Sequence, residues 1–279
     1  MSETGPVVIG EPGRTATAIG PCAPTYHPDS ADHELSECVV PGAQVRAASV
    51  RGLMHRYNRE PRQDRFSVVY DDATATLVIV VCDGVGQFAL SHEAAAFVAS
   101  DAPRAYLVHR DWHAAVVEVN LGLTDLAEAA AHRNRMLSVP QHGMATTLAA
   151  VAIRFEETRR TASIAWIGDT SVWFLDKRGW ESITDDGPAD DRDAPDSGRV
   201  GALPNADPRP AVIERDLPDG ALFLTTDGIG NPLRDAEQVK ETLAGWWATP
   251  PDVFAFARQV GFARKSHLDD RTAVGAWLA

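Results

Sequence analysis

Short apolar runs separated by turn residues recur along the chain from Val45 onward. They are rich in β-branched residues and bounded by turn formers, a pattern that predicts strands. The predicted strands are VRAASV (45–50), RFSVVY (65–70), TLVIVVCD (76–83), ATTLAAVAIRF (145–155), ASIAWIGD (162–169), SVWFLD (171–176), ALFLTTDG (221–228) and TAVGAWLA (272–279). The composition of 145–155 fits a helix equally well, so both assignments stay open for that segment.

Two alanine-rich stretches between the strand groups have apolar positions at helical spacing. They cover residues 87–109 and 111–137, with a break predicted near Pro103. Two further helices are predicted over 234–247 and 251–260. Strands and helices occur in blocks without regular alternation, which favours an α+β fold over a doubly wound sheet.

Two polar segments lie outside this pattern. Residues 1–44 are rich in Gly, Pro, Ser and Thr, and we expect an extended, partly disordered arm that contributes an edge strand. Residues 185–210 are polar and rich in Pro and Gly, which indicates a mobile loop. The sequence therefore predicts one folded domain over 45–279, preceded by the arm.

Composition and charge narrow the class of protein. Of the 279 residues 44% are apolar, and the net charge of −13 argues against nucleic-acid or anionic-membrane partners. No apolar run approaches the roughly 20 residues of a membrane span, and the N-terminal sequence lacks a secretory pattern. Three cysteines without C-x-x-C spacing argue against a disulfide framework or zinc ribbon, so we expect a cytoplasmic protein.

Aspartates follow the buried strands in a repeated way. Asp83-Gly84, Gly168-Asp169 and Asp227-Gly228 each end a predicted strand, and Asp269-Asp270 precedes the last one. A carboxylate directly after a buried strand is costly to desolvate unless a cation meets it. Several convergent carboxylates and carbonyls would form an oxygen-only site suited to Mg²⁺ or Mn²⁺. Asp-Gly is also a common turn dipeptide, so composition and spacing alone leave turn and metal ligand equally open.

Six short segments stand in a fixed order within residues 45–279. They are Gln63-Asp64 after Gly52, Asp83-Gly84-Val85-Gly86, Gly143-Met144-Ala145-Thr146-Thr147, Gly168-Asp169-Thr170, Thr226-Asp227-Gly228 and Asp269-Asp270-Arg271-Thr272. In this order and strand context the chain resembles the metal-dependent protein phosphatase family, the type 2C serine/threonine phosphatases, of bacterial type. The resemblance implies a β-sandwich of two antiparallel sheets flanked by helix pairs, a four-layer α-β-β-α fold. The 185–210 loop falls where the family carries its flap.

The resemblance also implies a cofactor and its ligands: two Mg²⁺ or Mn²⁺ ions and a third, weaker one. Asp83 would bridge the two metals, Gly84 would offer its carbonyl, and Asp83, Asp227 and Asp269 would form the catalytic centre. Asp64 resembles the acidic residue that holds metal-bound water. The whole implied ligand set is Asp64, Asp83, Gly84, Asp169, Asp227 and Asp269, with Asp169 at the position of the third ion.

Two roles depart from the family pattern. Arg59 has the family spacing to Asp64 and is preferred as the phosphate-binding residue, with Arg56 as the alternative. Val85 stands where many eukaryotic members have a histidine, and it cannot donate a proton. Metal-bound water or His55 would then protonate the leaving group.

The implied activity is hydrolysis of phosphoserine and phosphothreonine in proteins by water activated at a binuclear metal centre. The partners would be phosphorylated proteins, with a serine/threonine kinase or its targets among them. Two alternatives stay open: a catalytically weak, phosphatase-like binding or regulatory module, and a hydrolase of a small phosphate ester. The retained Asp83, Asp227 and Asp269 disfavour the first, and the lack of a base- or ribose-reading motif weakens the second.

Overall fold

Two β-sheets pack face to face, and helices cover the outer face of each sheet. The computed structural model describes residues 7–13, 31–86, 88–136, 143–184 and 201–278. The strands in these ranges are β1 (His33–Val40), β2 (Ala43–Val50), β3 (Arg65–Asp71), β4 (Thr76–Cys82), β5 (Leu148–Phe155), β6 (Arg160–Ile167), β7 (Ser171–Asp176), β8 (Gly179–Ser182), β9 (Ala211–Asp216), β10 (Gly220–Thr225) and β11 (Arg271–Leu278). The helices are α1 (Leu53–Asn58), α2 (Ser91–His109), α3 (Trp112–Met136), α4 (Asp227–Asp235), α5 (Glu237–Trp247) and α6 (Val253–Val260).

All strand pairs in both sheets are antiparallel. The first sheet has six strands in the order β1-β2-β11-β10-β7-β8, and the second has five in the order β3-β4-β5-β6-β9. Helices α2 and α3 pack on the second sheet, and α4, α5 and α6 pack on the first. The predicted α+β sandwich of four layers is therefore confirmed.

The continuous apolar runs of the central strands are explained by burial on both faces. Successive strand side chains point to opposite sides of a sheet. In β4, Leu77, Ile79 and Val81 pack between the two sheets, whereas Val78 and Val80 pack against α2 and α3. A strand covered on both faces needs no polar alternation, which is why these runs have none.

The helix break predicted at Pro103 is wrong. Helix α2 continues through Pro103 to His109, and the chain turns at Arg110, whose φ of 56° is left-handed. Proline cannot donate to the carbonyl four residues earlier, that of Ala99. The Ser67 hydroxyl on β3 donates to this carbonyl at 2.5 Å, so the missing helical hydrogen bond is replaced from the sheet.

Other predicted boundaries differ from the structure in informative ways. Residues 145–155, which the composition left open, contain strand β5. The segment 221–228, predicted as one strand, ends as β10 at Thr225 and enters helix α4 at Asp227. The predicted helix 234–247 corresponds to the end of α4 and all of α5. The short helix α1 and the strands β8 and β9 were not predicted from the sequence.

Part of the N-terminal region is built into the fold. Strand β1 forms an edge of the six-stranded sheet by pairing with β2. Ile9 is buried among the residues beneath α5 and α6, and its N–H donates to the Ala263 carbonyl at 3.2 Å. Residues 14–30 of the predicted arm lie outside the described residues.

The predicted loop 185–210 is only partly covered, since residues 185–200 lie outside the described ranges. Beyond them, Leu203 exchanges two backbone hydrogen bonds with Thr146, and the Asn205 N–H donates to the Asn120 side chain at 2.8 Å. Within the described ranges, no helix is both long and apolar enough to cross a membrane.

Candidate metal centre

The antiparallel register brings several strand ends to one edge of the sandwich. In the first sheet, Val50 at the end of β2 pairs with Arg271 at the start of β11, and Thr225 at the end of β10 pairs with Ser171 at the start of β7. In the second sheet, Cys82 at the end of β4 pairs with Arg65 at the start of β3. The aspartates that flank these ends therefore lie at the same edge of the sandwich, although they are far apart in sequence.

Asp64 is the deepest of these carboxylates and is only 1% exposed. Its Oδ2 accepts hydrogen bonds from the hydroxyls of Thr226 and Thr272, each at 2.8 Å. Asp64 precedes β3 in the second sheet, whereas both threonines belong to segments of the first sheet. The carboxylate thus connects the two sheets at their common edge.

Asp83 is held through its backbone by the segment that precedes β5. Its carbonyl accepts from the Thr147 N–H at 2.8 Å and from the Thr146 hydroxyl at 2.9 Å. Its own N–H donates to the Thr147 hydroxyl at 3.2 Å. Because these contacts fix the main chain, the carboxylate and the neighbouring Gly84 are presented in a defined orientation at the edge.

Asp227 and Asp269 line a cleft of about 460 Å³. Asp227 and Asp83 lie close enough to share a hydrogen bond between their carboxyl groups. Asp227 Oδ1 is buried and has no hydrogen-bond partner among the described residues. Asp169 is exposed and lies near Arg234 and Asp269.

The electrostatics of these groups indicate a site with excess negative charge. Desolvation by burial raises the pKa of Asp64 and of Asp83 well above the usual range, and the charges of neighbouring aspartates raise both further. Burial, followed by the charges of Asp269 and Asp169, raises the pKa of Asp227 to about 6. Desolvation also raises the pKa of Asp269 and of Asp169. Carboxylates that repel one another in this way are stabilised when cations are added between them.

Asp270 has a different environment from its neighbour Asp269. It is 1% exposed, and its two oxygens accept from the backbone N–H groups of Gly52 and Gln63, each at 2.6 Å. His55 Nδ1 lies 2.8 Å from Asp270 Oδ1. Asp270 therefore contacts the residue that precedes α1, the residue that precedes Asp64 and the His55 ring at the same time.

His55 Nε2 is directed toward the cleft, 3.8 Å from Asp269 and 4.0 Å from Glu60. Burial lowers the pKa of His55, but the contact with Asp270 and the charges of Asp270, Asp269 and Asp64 raise it to about 9. One ligand atom each of His55, Asp269 and Asp270 lie within 4.8 Å of one another. In the absence of cations this histidine is therefore protonated at neutral pH.

The two candidate phosphate-binding arginines are in different places. Arg59 is exposed and adopts a left-handed conformation, with φ of 62°, at the end of α1. Arg56 is partly buried and lines a second pocket next to the cleft. Of the two arginines, Arg56 therefore lines a pocket beside the cleft and Arg59 does not.

Close backbone approach explains two glycines of the site. A Cβ on Gly52 would lie 2.2 Å from the Asp269 carbonyl carbon, and one on Gly228 would lie 2.0 Å from the Asp270 carbonyl oxygen. Both contacts are shorter than atoms tolerate. The Asp269-Asp270 segment can thus pass between α1 and α4 only because neither glycine has a side chain.

Several residues that shape the site were not singled out from the sequence. Asp270, Thr226 and Thr272 hold the carboxylates, and Arg271 is buried with its guanidinium 4.2 Å from the Phe262 ring centroid. Burial lowers the pKa of Arg271 to about 10. The sequence signals for this group are the Asp-Asp-Arg-Thr run at the start of β11 and the Thr-Asp-Gly segment after β10, in which only Asp269 and Asp227 were given roles.

The fold and this carboxylate edge define a class, the α-β-β-α sandwich with acidic residues gathered where its two sheets meet. A sequence profile of the family described as protein phosphatase 2C matches residues 51–259, about three quarters of the chain. The chain belongs to the protein phosphatase 2C family. A search of curated protein sequences gave no match.

Solved structures with the same fold include bacterial phosphatases. The serine/threonine phosphatase Stp1 from Staphylococcus aureus is 17% identical, with 84% of this chain and 94% of that chain covered and a TM-score of 0.59. The catalytic domain of the serine/threonine phosphatase PstP, in complex with two manganese ions, is 22% identical, with 85% and 99% covered and a TM-score of 0.55. PstP/Ppp from Mycobacterium tuberculosis is 21% identical over 85% and 99%, with a TM-score of 0.54.

Proposed function

We propose that this protein is a Mg²⁺- or Mn²⁺-dependent phosphatase that hydrolyses phosphoserine and phosphothreonine in other proteins. The observation that carries the proposal is the convergence of Asp64, Asp83, Asp227 and Asp269 at one edge of the sandwich. Their raised pKa values and the unpartnered Asp227 Oδ1 fit a site that is completed by hard cations. Membership of the protein phosphatase 2C family supports the same reading.

The residues present fit two cations and a weaker third. Asp83, Asp227 and Asp269, together with the Gly84 carbonyl, would hold the two central ions. Asp64 would hold metal-bound water from the buried side, and the exposed Asp169 would be a ligand of the third ion. When bound, divalent ions supply acidification of water and neutralisation of negative charge on the phosphate oxygens.

The other side chains of the cleft would handle the substrate. His55 lies beside Asp269 with its ring fixed by Asp270, so it is our candidate for the proton donor to the leaving serine or threonine oxygen. Cations bound nearby would lower the pKa of His55 from about 9 toward neutrality. Arg59 and Arg56 remain the candidates for phosphate binding. Arg56 lines the pocket that adjoins the cleft, and neither side chain lines the cleft itself.

The activity is tested with a singly phosphorylated threonine peptide and a small aryl phosphate, each assayed with Mn²⁺ and with EDTA. We expect Mn²⁺-dependent turnover of the peptide, loss of turnover in EDTA and in Asp83→Ala and Asp227→Ala, and no loss in Asp125→Ala, an exposed aspartate on α3. Near-wild-type turnover by Asp83→Ala or Asp227→Ala would contradict the assignment.

The same assay separates the alternatives. Turnover of the aryl phosphate alone would identify a small-ester hydrolase. No turnover of either substrate, with Mn²⁺ binding and the fold intact, would identify a binding or regulatory module. We propose phosphorylated proteins and an opposing serine/threonine kinase as the partners. Turnover of the peptide is the result that would support this part of the proposal.

A further inference from the structure

A second pocket lies next to the metal cleft and contains an unusual concentration of positive charge. Its volume is about 500 Å³, and it is enclosed by β1, the β2–α1 junction, α6 and the start of β11. Four arginines line it: Arg51, Arg56, Arg258 and Arg271. The single carboxylate in its wall is Asp269, in a chain whose net charge is −13.

Two of these arginines are buried and incompletely paired. Arg51 and Arg271 are each 5% exposed. Arg271 Nη2 donates to the His267 carbonyl at 2.6 Å, but its buried Nη1 has no partner among the described residues. Arg51 donates to Asp32 and to the His55 carbonyl, while its Nε also lacks a partner there. A buried N–H donor without an acceptor is costly, and both guanidinium groups therefore keep hydrogen-bonding capacity that the described residues do not use.

The other two arginines form no ion pair with any residue in the described ranges. Arg56 is half-buried with its Nε unpartnered, and Arg258 projects from α6 at the exposed rim. His33, another wall residue, has its pKa lowered by burial and by the charge of Arg56. The positive charge of the wall is therefore only partly compensated from within the protein.

The remaining wall is apolar. Leu35 on β1 and Phe262 beyond α6 line the pocket, and the Phe254 side chain, whose residue is 74% exposed, stands at its rim. An occupant that suits this wall has an oxygen anion for the arginines and apolar atoms next to it. A free inorganic ion satisfies only the first requirement.

The arginine pocket and the metal cleft share a wall. His267, Leu268 and Asp269 line both. A peptide whose phosphorylated residue lies in the cleft could therefore cross this wall and place a neighbouring side chain among the arginines. At ~3.3 Å per residue, an extended peptide needs only a few residues to span two adjoining pockets of this size.

We propose that the arginine pocket is a substrate subsite that selects phosphoproteins carrying a second oxyanion, either a phosphoryl group or an acidic side chain, close to the residue being dephosphorylated. This inference rests on the proposed function and specifies its substrate class. Arginine suits such a ligand because its guanidinium forms charge-assisted, two-point hydrogen bonds with phosphate and carboxylate oxygens.

The test compares four phosphothreonine peptides that differ in one flanking position: neutral, glutamate, glutamine, and a phosphonate that cannot be hydrolysed, each at spacings of two to six residues. We expect kcat/KM of the wild type to be about tenfold higher for the phosphonate or glutamate peptide, at one preferred spacing, than for the neutral ones. Arg258→Glu is expected to reduce this preference about fivefold or more, while kcat/KM for the neutral peptide is retained.

The matched control is Arg154→Glu. Arg154 is an exposed arginine near the C-terminal end of β5. Thr147, which accepts from the Asp83 N–H at the acidic edge, precedes the other end of the same strand. Both substitutions change the net charge equally, so an equal fall in both variants would reduce the effect to long-range attraction and overturn the proposal. A wild type without preference for any flanking anion would overturn it as well.

A binding measurement separates this inference from the phosphatase activity. Fluorescence anisotropy with the labelled phosphonate peptide in EDTA needs no turnover, and we expect affinity to fall in Arg258→Glu but not in Arg154→Glu. Competition by inorganic phosphate with no peptide preference would identify a simple anion site and contradict the subsite. Failure of the neutral peptide to turn over, with the binding difference preserved, would count against the phosphatase proposal alone.

Discussion

Specific hydrogen-bond donors stabilise two of the buried carboxylates of the site. Asp64 accepts two threonine hydroxyls from the opposite sheet, and Asp270 accepts two backbone N–H groups. Asp227 has no such support at Oδ1, and burial and nearby charges raise its pKa to about 6. Asp227 is therefore the carboxylate whose ionisation should most clearly lower the stability of the metal-free protein.

Asp227→Asn should stabilise the metal-free protein at neutral pH. The pKa of Asp227 is about 6 in the folded protein and 3.8 in the unfolded chain, so the unfolded chain loses its proton first as pH rises. Stability of the wild type in EDTA should thus fall between about pH 4 and pH 6.5, and Asn, which carries no charge, should reduce this fall. Thermal unfolding at pH 5 and pH 7.5 measures both effects.

The same variant should gain nothing from Mn²⁺, whereas the wild type should be stabilised. His55, with its pKa raised to about 9, contributes stability that is fully present below pH 6.5 and is lost as pH rises through 9. Because this contribution is the same in both proteins, the wild type and the variant are compared with each other at each pH. A lower unfolding temperature for Asp227→Asn than for the wild type in EDTA at pH 7.5 would argue against a repulsive acidic cluster.

His55→Gln should lower kcat for a phosphothreonine peptide at least tenfold, because general acids contribute about 10²–10⁴-fold where the leaving group is poor. The loss should be much smaller for an aryl phosphate, whose phenolate leaves without needing a proton. The pH profile of kcat for the peptide should lose its alkaline limb in the variant. An equal loss for both substrates would instead indicate that His55 only supports the fold.

At the scale of secondary structure, the continuity of α2 depends on a side chain from the sheet. The Ser67 hydroxyl satisfies the Ala99 carbonyl that Pro103 leaves free. Ser67→Ala should lower the free energy of unfolding by about 1 kcal/mol, as expected for one lost hydrogen bond at a partly buried carbonyl. Urea denaturation of the metal-free protein measures this difference.

The control for this prediction is the double variant. In Pro103→Ala the new backbone N–H can donate to the Ala99 carbonyl, so adding Ser67→Ala to that background should cost less than it does alone. Identical costs in both backgrounds would show that Ser67 contributes through packing and not through this hydrogen bond.

The elements that sequence patterns predicted well are those buried on both faces. Their long apolar runs, such as 76–83 and 171–176, allow few assignments other than a central strand. The start of helix α4 was missed because Asp227-Gly228 was assigned to a strand end and its turn, whereas here it begins a helix against the Asp270 backbone. Edge strand β9 was missed because it is half-exposed and carries only a three-residue apolar run before charged residues.

The candidate site was predictable in part, for a related reason. The aspartates were visible because each follows or precedes an apolar strand, and antiparallel pairing then gathers them. The contributions of Asp270, Thr226 and Thr272 were not visible, since they depend on which oxygen faces which N–H or hydroxyl across the two sheets. The arginine pocket was likewise hidden, because its four arginines come from separate segments.

On the scale of the whole molecule, the candidate ligands come from both sheets. Asp64 and Asp83 flank strands of the second sheet, and Asp227 and Asp269 flank strands of the first. Cations held between them would tie the two layers together and stabilise the folded protein. Mn²⁺ at 100 times its Kd should add about 2.7 kcal/mol per site to the free energy of unfolding.

For a domain of this size, that gain corresponds to a rise in Tm of roughly 5–10 °C, which differential scanning fluorimetry would detect. Asp83→Ala should show little of the rise, and Asp125→Ala should show all of it. A similar rise in all three proteins would place Mn²⁺ somewhere other than the carboxylate edge.

Strand β11 follows every other described strand in the chain, yet it lies between β2 and β10 in the middle of the six-stranded sheet. Until it inserts, β1 and β2 have no hydrogen-bonded link to the rest of that sheet, and Asp269 and Asp270 have no anchored position. The acidic edge is thus complete only when residues 271–278 have inserted. Metal affinity during refolding would consequently appear together with completion of the sheet and not before it.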